Sequence, residues 1–330
     1  MSLVYAPDSA VAIVADWAWR PNSGIVTRST GQEIPMAKGW HILGAGAIGC
    51  LFADALASSG APTTLVLRAN TPSAPPLQME RNGQTHTRSL SSTNAPDVSP
   101  IDHLLVTTKA YDVVSSVNSV RHRLTADATI VLLANGLGYA EDVASLVPGA
   151  NLYCGTTTEG AFRRAPWHIC HAGRGQTLLG AFAGRASTPD WFDDWQALKL
   201  ECRWTNTIHA ALWHKLAINC AINPLTARHR CHNGELANNP VFARQVTELC
   251  KEIADVSRAA GFDDIAHSIK GDAFDVIQRT AANRSSMLQD TLAGRSTEIE
   301  FITGHLVNRA EQLDIEVPAN RDLLEQIRNA

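Results

Sequence analysis

The chain has 330 residues, enough for about two domains of ordinary size. With 45% hydrophobic and 18% charged residues it has the apolar material for packed cores, which argues against intrinsic disorder. The 28 basic and 32 acidic side chains leave a net charge of -4, unlike a nucleic-acid-binding surface, and no apolar run approaches the ~18 residues of a membrane span.

Residues 1–39 differ from the rest of the chain. Their apolar stretch, 11–19, is interrupted by Asp16 and preceded by no basic residue, which makes a poor signal peptide. Asp8, Asp16 and Glu33 outnumber Arg20 and Arg28, the reverse of a transit peptide. The segment is expected to be an extension outside the fold. The cysteines at 50, 154, 170, 202, 220, 231 and 250 are scattered and never spaced C-x-x-C, as expected of reduced thiols in a cytoplasmic protein.

From Trp40 the pattern becomes orderly. HILGAGAIG (41–49) reads as a strand entering a glycine turn, and Ile48, Phe52, Ala55 and Leu56 keep helical spacing up to Gly60. TTLVL (63–67) is strand-like, and the Pro- and Ser-rich stretch to about residue 100 predicts loops and short irregular strands. LLVTT (104–108) and TIVLL (129–133) read as buried parallel strands. WHICHAGRGQTLLG (167–180) reads as two strands around a turn, not as a second phosphate loop. Residues 40–205 are therefore expected to form an α/β domain with a Rossmann-type, doubly wound parallel sheet. Long helical periodicities from residue 206 to 330 predict an all-helical second domain.

Gly44, Ala45, Gly46, Ala47, Ile48 and Gly49 form a G-x-G-x-x-G turn between strand and helix. The first glycine suits the tight turn, the second lets a pyrophosphate approach, and the third admits close helix packing. A site for NAD would place an acid about 20 residues further on, but no acid lies between Asp54 and Glu80. Arg68 follows the second strand instead, a guanidinium suited to the 2′-phosphate of NADP. Lys109 and Asn135 follow the next two strands and fall on the same carboxyl edge, where open parallel sheets bind ligands.

In LWHKLAINCAINPLT (212–226), Lys215, Asn219 and Asn223 recur every four residues and so share one face of an otherwise apolar helix. Such a narrow polar stripe predicts groups aimed into a cleft. An ammonium near its ordinary pKa of about 10.4 can protonate a developing alkoxide, and asparagines can bind hydroxyl and carboxylate without titrating. No metal is expected, since His229, Cys231 and His232, with Cys220 upstream, lack the paired spacing of a zinc site.

GAGAIG, the Lys109 strand end, ANGLG (134–138), GTTTEGA (155–161), LWHKLAINCAINPLT, NGEL (233–236) and SSMLQDTLAGRSTEIE (285–300) occur in this order. Together they resemble the ketopantoate reductase family over roughly residues 40–325, apart from the extension and a compressed stretch at 69–100. The resemblance implies NADPH-dependent reduction of 2-dehydropantoate (ketopantoate) to pantoate in pantothenate synthesis. It makes Lys215 the proton donor and places Asn135, Asn219, Asn223, Asn233 and Ser286 on the substrate. It assigns Glu298 and the backbone around Ala161 to the NADPH cofactor. The partner expected is this small-molecule substrate, with no nucleic acid and no membrane. Two alternatives stand beside it: a reductase of another 2-keto acid, and a dinucleotide-binding sensor without turnover.

Overall fold

Short apolar strands alternating with helices build an eight-stranded sheet. The structure, a computed structural model, describes residues 39–184 and 187–329, so the expected extension up to residue 38 lies outside the described residues. β1 (Trp40–Leu43) leads through the glycine turn into α1 (Ala47–Ser59) and β2 (Thr63–Leu67), followed by β3 (Leu77–Arg81), β4 (Gln84–Arg88) and β5 (Ser91–Asn94). β6 (Ile101–Val106), α2 (Val113–Val120), β7 (Leu124–Leu132) and α3 (Ala140–Leu146) continue the alternation. β8 (Asn151–Thr157), β9 (Gly160–Ala165), β10 (His168–Gly173), β11 (Gln176–Ala181), α4 (Phe192–Gln196) and β12 (Glu201–Trp204) complete it.

The strand order is β12-β11-β8-β7-β6-β1-β2-β5. The six strands from β5 to β8 run parallel; β11 lies antiparallel to β8, and β12 parallel to β11. From β1 the chain builds outward first to β2 and then, on the other side, to β6. The sheet therefore has a switch point between β1 and β6, where a crevice opens at the carboxyl edge. The sequence alternation thus gives the doubly wound parallel sheet it predicts.

Residues 69–100 are more regular than the expected loops and irregular strands. β3 pairs antiparallel with β4 and parallel with β10, making a second, four-stranded sheet in the order β4-β3-β10-β9, while β5 joins the edge of the large sheet. The two strands expected across 167–180 are present, but β10 belongs to the small sheet and β11 to the large one. β4 reads QTHTR and is exposed along most of its length, so it carries no hydrophobic signal. What fastens it is polar: the buried Asp54 carboxylate on α1 accepts from Arg88 Nε at 2.8 Å and pairs with His86 Nε2 at 2.9 Å.

The remainder is helical: α5 (Ile208–His229), α6 (Glu235–Asn238), α7 (Pro240–Ala259), α8 (Asp263–Arg279), α9 (Ser286–Leu292), α10 (Thr303–Gln312) and α11 (Pro318–Arg328). α5 is the central post, with Leu216, Ala217, Cys220, Ala221 and Leu225 buried in a core shared with α7, α8, α10 and α11. Glu252 on α7 closes the start of α11, accepting from Ala319 N at 2.8 Å and Asn320 N at 2.9 Å, donors that a helix start leaves unsatisfied. No helix among the described residues is long and apolar enough to cross a membrane.

An aromatic cluster under the sheet holds β1. Trp40, fully buried, meets Trp195 at 5.4 Å and Trp191 at 5.5 Å in edge-on geometry, and its Nε1 donates to Asp194 Oδ2 at 3.1 Å. Phe52 of α1 closes on Trp195 at 5.2 Å. α4 thus anchors both elements flanking the glycine turn. Trp195→Ala is expected to destabilise the protein by about 3–5 kcal/mol, the usual loss for emptying a buried indole site. Denaturant unfolding followed by far-UV circular dichroism checks this; a change below about 1 kcal/mol would mean that the cluster does not support β1.

Candidate active site

The glycine turn follows β1 at the switch point. Gly44 takes φ +112°, and a Cβ there would stand 2.7 Å from Thr108 N and 2.8 Å from the Thr107 carbonyl carbon. At Gly49 a Cβ would strike Gly44 O and Thr107 Oγ1. At Gly46 it would meet no heavy atom within 4 Å. Two glycines are thus required by the protein's own packing, while the middle one faces open space. Gly46 is also the residue that precedes α1, and no side chain caps that helix. Free first-turn N–H groups beside an open backbone fit the diphosphate of a dinucleotide. Arg163 of β9 braces the turn, donating from Nη2 to Ala45 O at 2.6 Å.

Strand register sets the rest of the edge. Leu43 aligns with Val66 on one side and Val106 on the other, and Val106 with Leu132. The glycine turn, Arg68, Lys109 and Asn135 therefore leave the sheet at one level. The Arg68 side chain is 91% exposed, with Asp112 Oδ2 3.8 Å from its Nη2. Lys109 reaches across to the helical part, where its Nζ lies 2.6 Å from Asp290 Oδ2 and 3.3 Å from Glu298 Oε2. Desolvation opposes its charge, but Glu298 and Asp290 outweigh that penalty and hold its pKa above the ordinary value. Arg295 also engages Asp290, at 2.9 Å.

Glu298, 4% exposed, is the convergence point. Besides Lys109 it accepts from Asn135 Nδ2 at 3.3 Å and from Ala110 N at 3.0 Å. The ANGLG loop bearing Asn135 packs tightly on the helical part: Gly136, at φ +79°, lies against the Phe301 backbone, and Leu137 N donates to Phe301 O at 2.8 Å.

Lys215 rises from α5 and donates from Nζ to Thr157 O, at the carboxyl end of β8, at 2.7 Å. Desolvation lowers its pKa to about 8, the Glu298 charge opposing part of the drop. This corrects the expectation of an ordinary lysine: the ammonium is destabilised and so is a stronger acid. Asn219 and Asn223 follow it on the same helix, and neither amide bonds to a protein group among the described residues. The buried Asn233 donates from Nδ2 to Thr280 Oγ1 at 2.8 Å, and its Oδ1 has no partner among the described residues. Ser286 is exposed in the first turn of α9; its neighbour Ser285 is the buried cap, accepting from Leu288 N at 3.0 Å and from Thr226 Oγ1 at 2.7 Å. Ala161 lies in β9, partly buried and paired with His171.

The cysteines and histidines near residue 230 have other surroundings. His229 stacks on Phe242 at 4.0 Å, Cys220 and Cys231 are buried and free, and no group of three or more metal-ligating side chains occurs among the described residues.

Two family models match, "Ketopantoate reductase PanE/ApbA" over residues 40–184 and its C-terminal counterpart over 207–330. The chain belongs to the ketopantoate reductase family. It is similar to the 2-dehydropantoate 2-reductase of Vibrio cholerae, 35% identical over 288 residues that cover 87% of this chain and 96% of that protein. The enzyme of the same name from Shigella flexneri is 36% identical, covering 87% and 93%. Among solved structures, a PanE/ApbA family ketopantoate reductase from Ralstonia eutropha JMP134 superposes with a TM-score of 0.78 at 26% identity, covering 88% of this chain and 97% of that one. A D-mandelate dehydrogenase solved with NADH and anilino(oxo)acetate shares the fold, with a TM-score of 0.81 at 21% identity and coverage of 88% and 97%. Family membership makes this chain an oxidoreductase that works with a nicotinamide dinucleotide.

Three features of the site have weak sequence signals or none. The Thr157 carbonyl that receives Lys215 is backbone, and Arg163 lies on an exposed strand with no motif. Asp290 sits in a mixed polar segment, SMLQDTL, and only its burial beside Met287 and Leu288 shows that its carboxylate needs a partner. The geometry also yields a test. Glu298 supports the charged form of Lys215, so Glu298→Gln should lower the Lys215 pKa further. The alkaline limb of the pH–rate profile should then move below about 8, toward neutral pH. A limb that stays in place would separate Glu298 from Lys215.

Proposed function

We propose that this chain reduces 2-dehydropantoate to pantoate with NADPH, and that Lys215 supplies the proton. The observation that carries the reading is the desolvated Lys215 ammonium held at the end of β8, with two uncommitted asparagines behind it on the same helix face. The reading gives residues 40–205 the cofactor and residues 206–330 the substrate.

The glycine turn would hold the diphosphate, Arg68 the adenosine ribose, and Glu298 and the backbone around Ala161 the nicotinamide end. Asn135, set between the two parts, would face both ligands. Bound nicotinamide supplies the hydride to the ketone carbon. The chain's own work is at the carbonyl oxygen. Lys215 Nζ donates a hydrogen bond there, stabilises the negative charge as it grows, and passes its proton to that oxygen. Its lowered pKa shortens the energetic distance of this transfer while leaving most of the lysine protonated at pH 7. Asn219, Asn223, Asn233 and Ser286 would orient the carboxylate and hydroxyl of the substrate as neutral groups that add no negative charge of their own beside the ammonium.

The proton must be on Lys215 before the step, so kcat should hold below pH 8 and fall as pH rises above it. Lys215→Met is expected to lower kcat by at least about 10²–10³, the usual loss for one preorganised donor, with little change in NADPH affinity measured by cofactor fluorescence. Near-normal kcat would remove Lys215 from the mechanism. The same variant should be more stable at pH 7. In the wild type the unfolded chain binds the lysine proton more tightly than the fold does, so the charge weakens folding below pH 8, and this penalty shrinks as pH rises toward 10.5. Thermal unfolding should show a higher Tm for Lys215→Met at pH 7 and a smaller difference at pH 10. Following NADPH absorbance with ketopantoate, then with other 2-keto acids, tests the substrate. No oxidation with any of them would favour the sensor reading.

A further inference from the structure

Arg68 does not stand alone at the adenosine end of the crevice. Asp112 closes the short turn that follows Lys109 and immediately precedes α2, where an acid would ordinarily cap the helix. Its carboxylate makes no capping bond. It reaches instead across the carboxyl end of the sheet, to within 3.8 Å of the Arg68 guanidinium, and remains 39% exposed. The acid that dinucleotide sites for NAD carry at the end of the second strand is missing here. A carboxylate nonetheless reaches the same place from the loop after β6.

We propose that Asp112 is a specificity-determining residue for the adenosine ribose, one that weakens discrimination between NADPH and NADH. The proposal rests on the reading that Arg68 receives this ribose. A 2′-phosphate that takes the guanidinium must displace Asp112 or sit close to it, and two like charges in such a position repel. A plain 2′-hydroxyl has the opposite relation, since it can donate to the carboxylate and leave the Arg68–Asp112 pair intact. Arg68 therefore favours the phosphorylated cofactor, Asp112 the unphosphorylated one, and the pair sets the balance. Both groups are open to solvent, so the effect is moderate and sensitive to salt.

The test is binding of two probes that lack the nicotinamide, 2′-phospho-ADP-ribose and ADP-ribose, by isothermal titration to the full chain. Asp112→Asn should tighten the phosphorylated probe by about three- to tenfold at low ionic strength and leave ADP-ribose unchanged or weaker. Asp112→Glu should restore the wild-type ratio of the two Kd values. The gain should shrink in about 0.5 M salt. Arg68→Ala is the control: it should bring the ratio toward one. If Arg68→Ala does so and Asp112→Asn leaves the ratio within about twofold of wild type, the proposal for Asp112 is overturned and the ribose assignment stands. If Arg68→Ala leaves the ratio unchanged, the ribose lies elsewhere and both fall.

Discussion

The buried carboxylate of Glu298 joins the two parts of this enzyme. Three of its donors, Lys109 Nζ, the Ala110 N–H and Asn135 Nδ2, come from the ends of β6 and β7, although Glu298 itself belongs to the helical part. A carboxylate taken out of water is tolerated only when its oxygens are bonded, and each of these bonds is lost if the sheet edge shifts against the helices. Its negative charge also reaches Lys215, opposing part of the desolvation of that lysine. One side chain thus ties the carboxyl edge of the sheet to the helical part and offsets part of the desolvation of Lys215.

The neighbouring charges explain why Lys109 and Lys215 behave oppositely. Lys109 has two carboxylates within 3.3 Å, and its ammonium is stabilised despite partial burial. Lys215 has one backbone carbonyl and a more distant carboxylate, which cannot offset its desolvation. The first lysine is suited to holding a place and the second to giving up a proton. Exchanging their partners would exchange their roles, since both are ordinary lysines in solution.

What the sequence makes legible depends on the physics that makes each feature necessary. The glycine turn is readable because Gly44 and Gly49 are forced by contacts with the chain's own backbone, and the alternation of elements is readable because burial imposes it. β4 is not readable, because its hold on α1 through Asp54 is a pair of polar contacts between exposed-looking residues. The stripe of Lys215, Asn219 and Asn223 is visible from spacing, but its electrostatics are not. The Thr157 carbonyl and the Glu298 charge that act on Lys215 lie 58 residues or more away along the sequence. Spacing locates a lysine; only packing assigns it a pKa.

The seam between the two parts is otherwise held by shape. Gly136 and Gly138 adopt positive φ, and the space left by their absent side chains is taken up by Phe301 and His305. His305, half-buried beside Trp213, has its pKa lowered to about 4, first by desolvation and then by Arg309, so it enters this seam as a neutral ring near pH 7. A side chain at Gly136 would press on the Phe301 backbone, three residues beyond Glu298, so the hold of that carboxylate on Lys109 rests on a sterically closed seam as well as on the charges themselves.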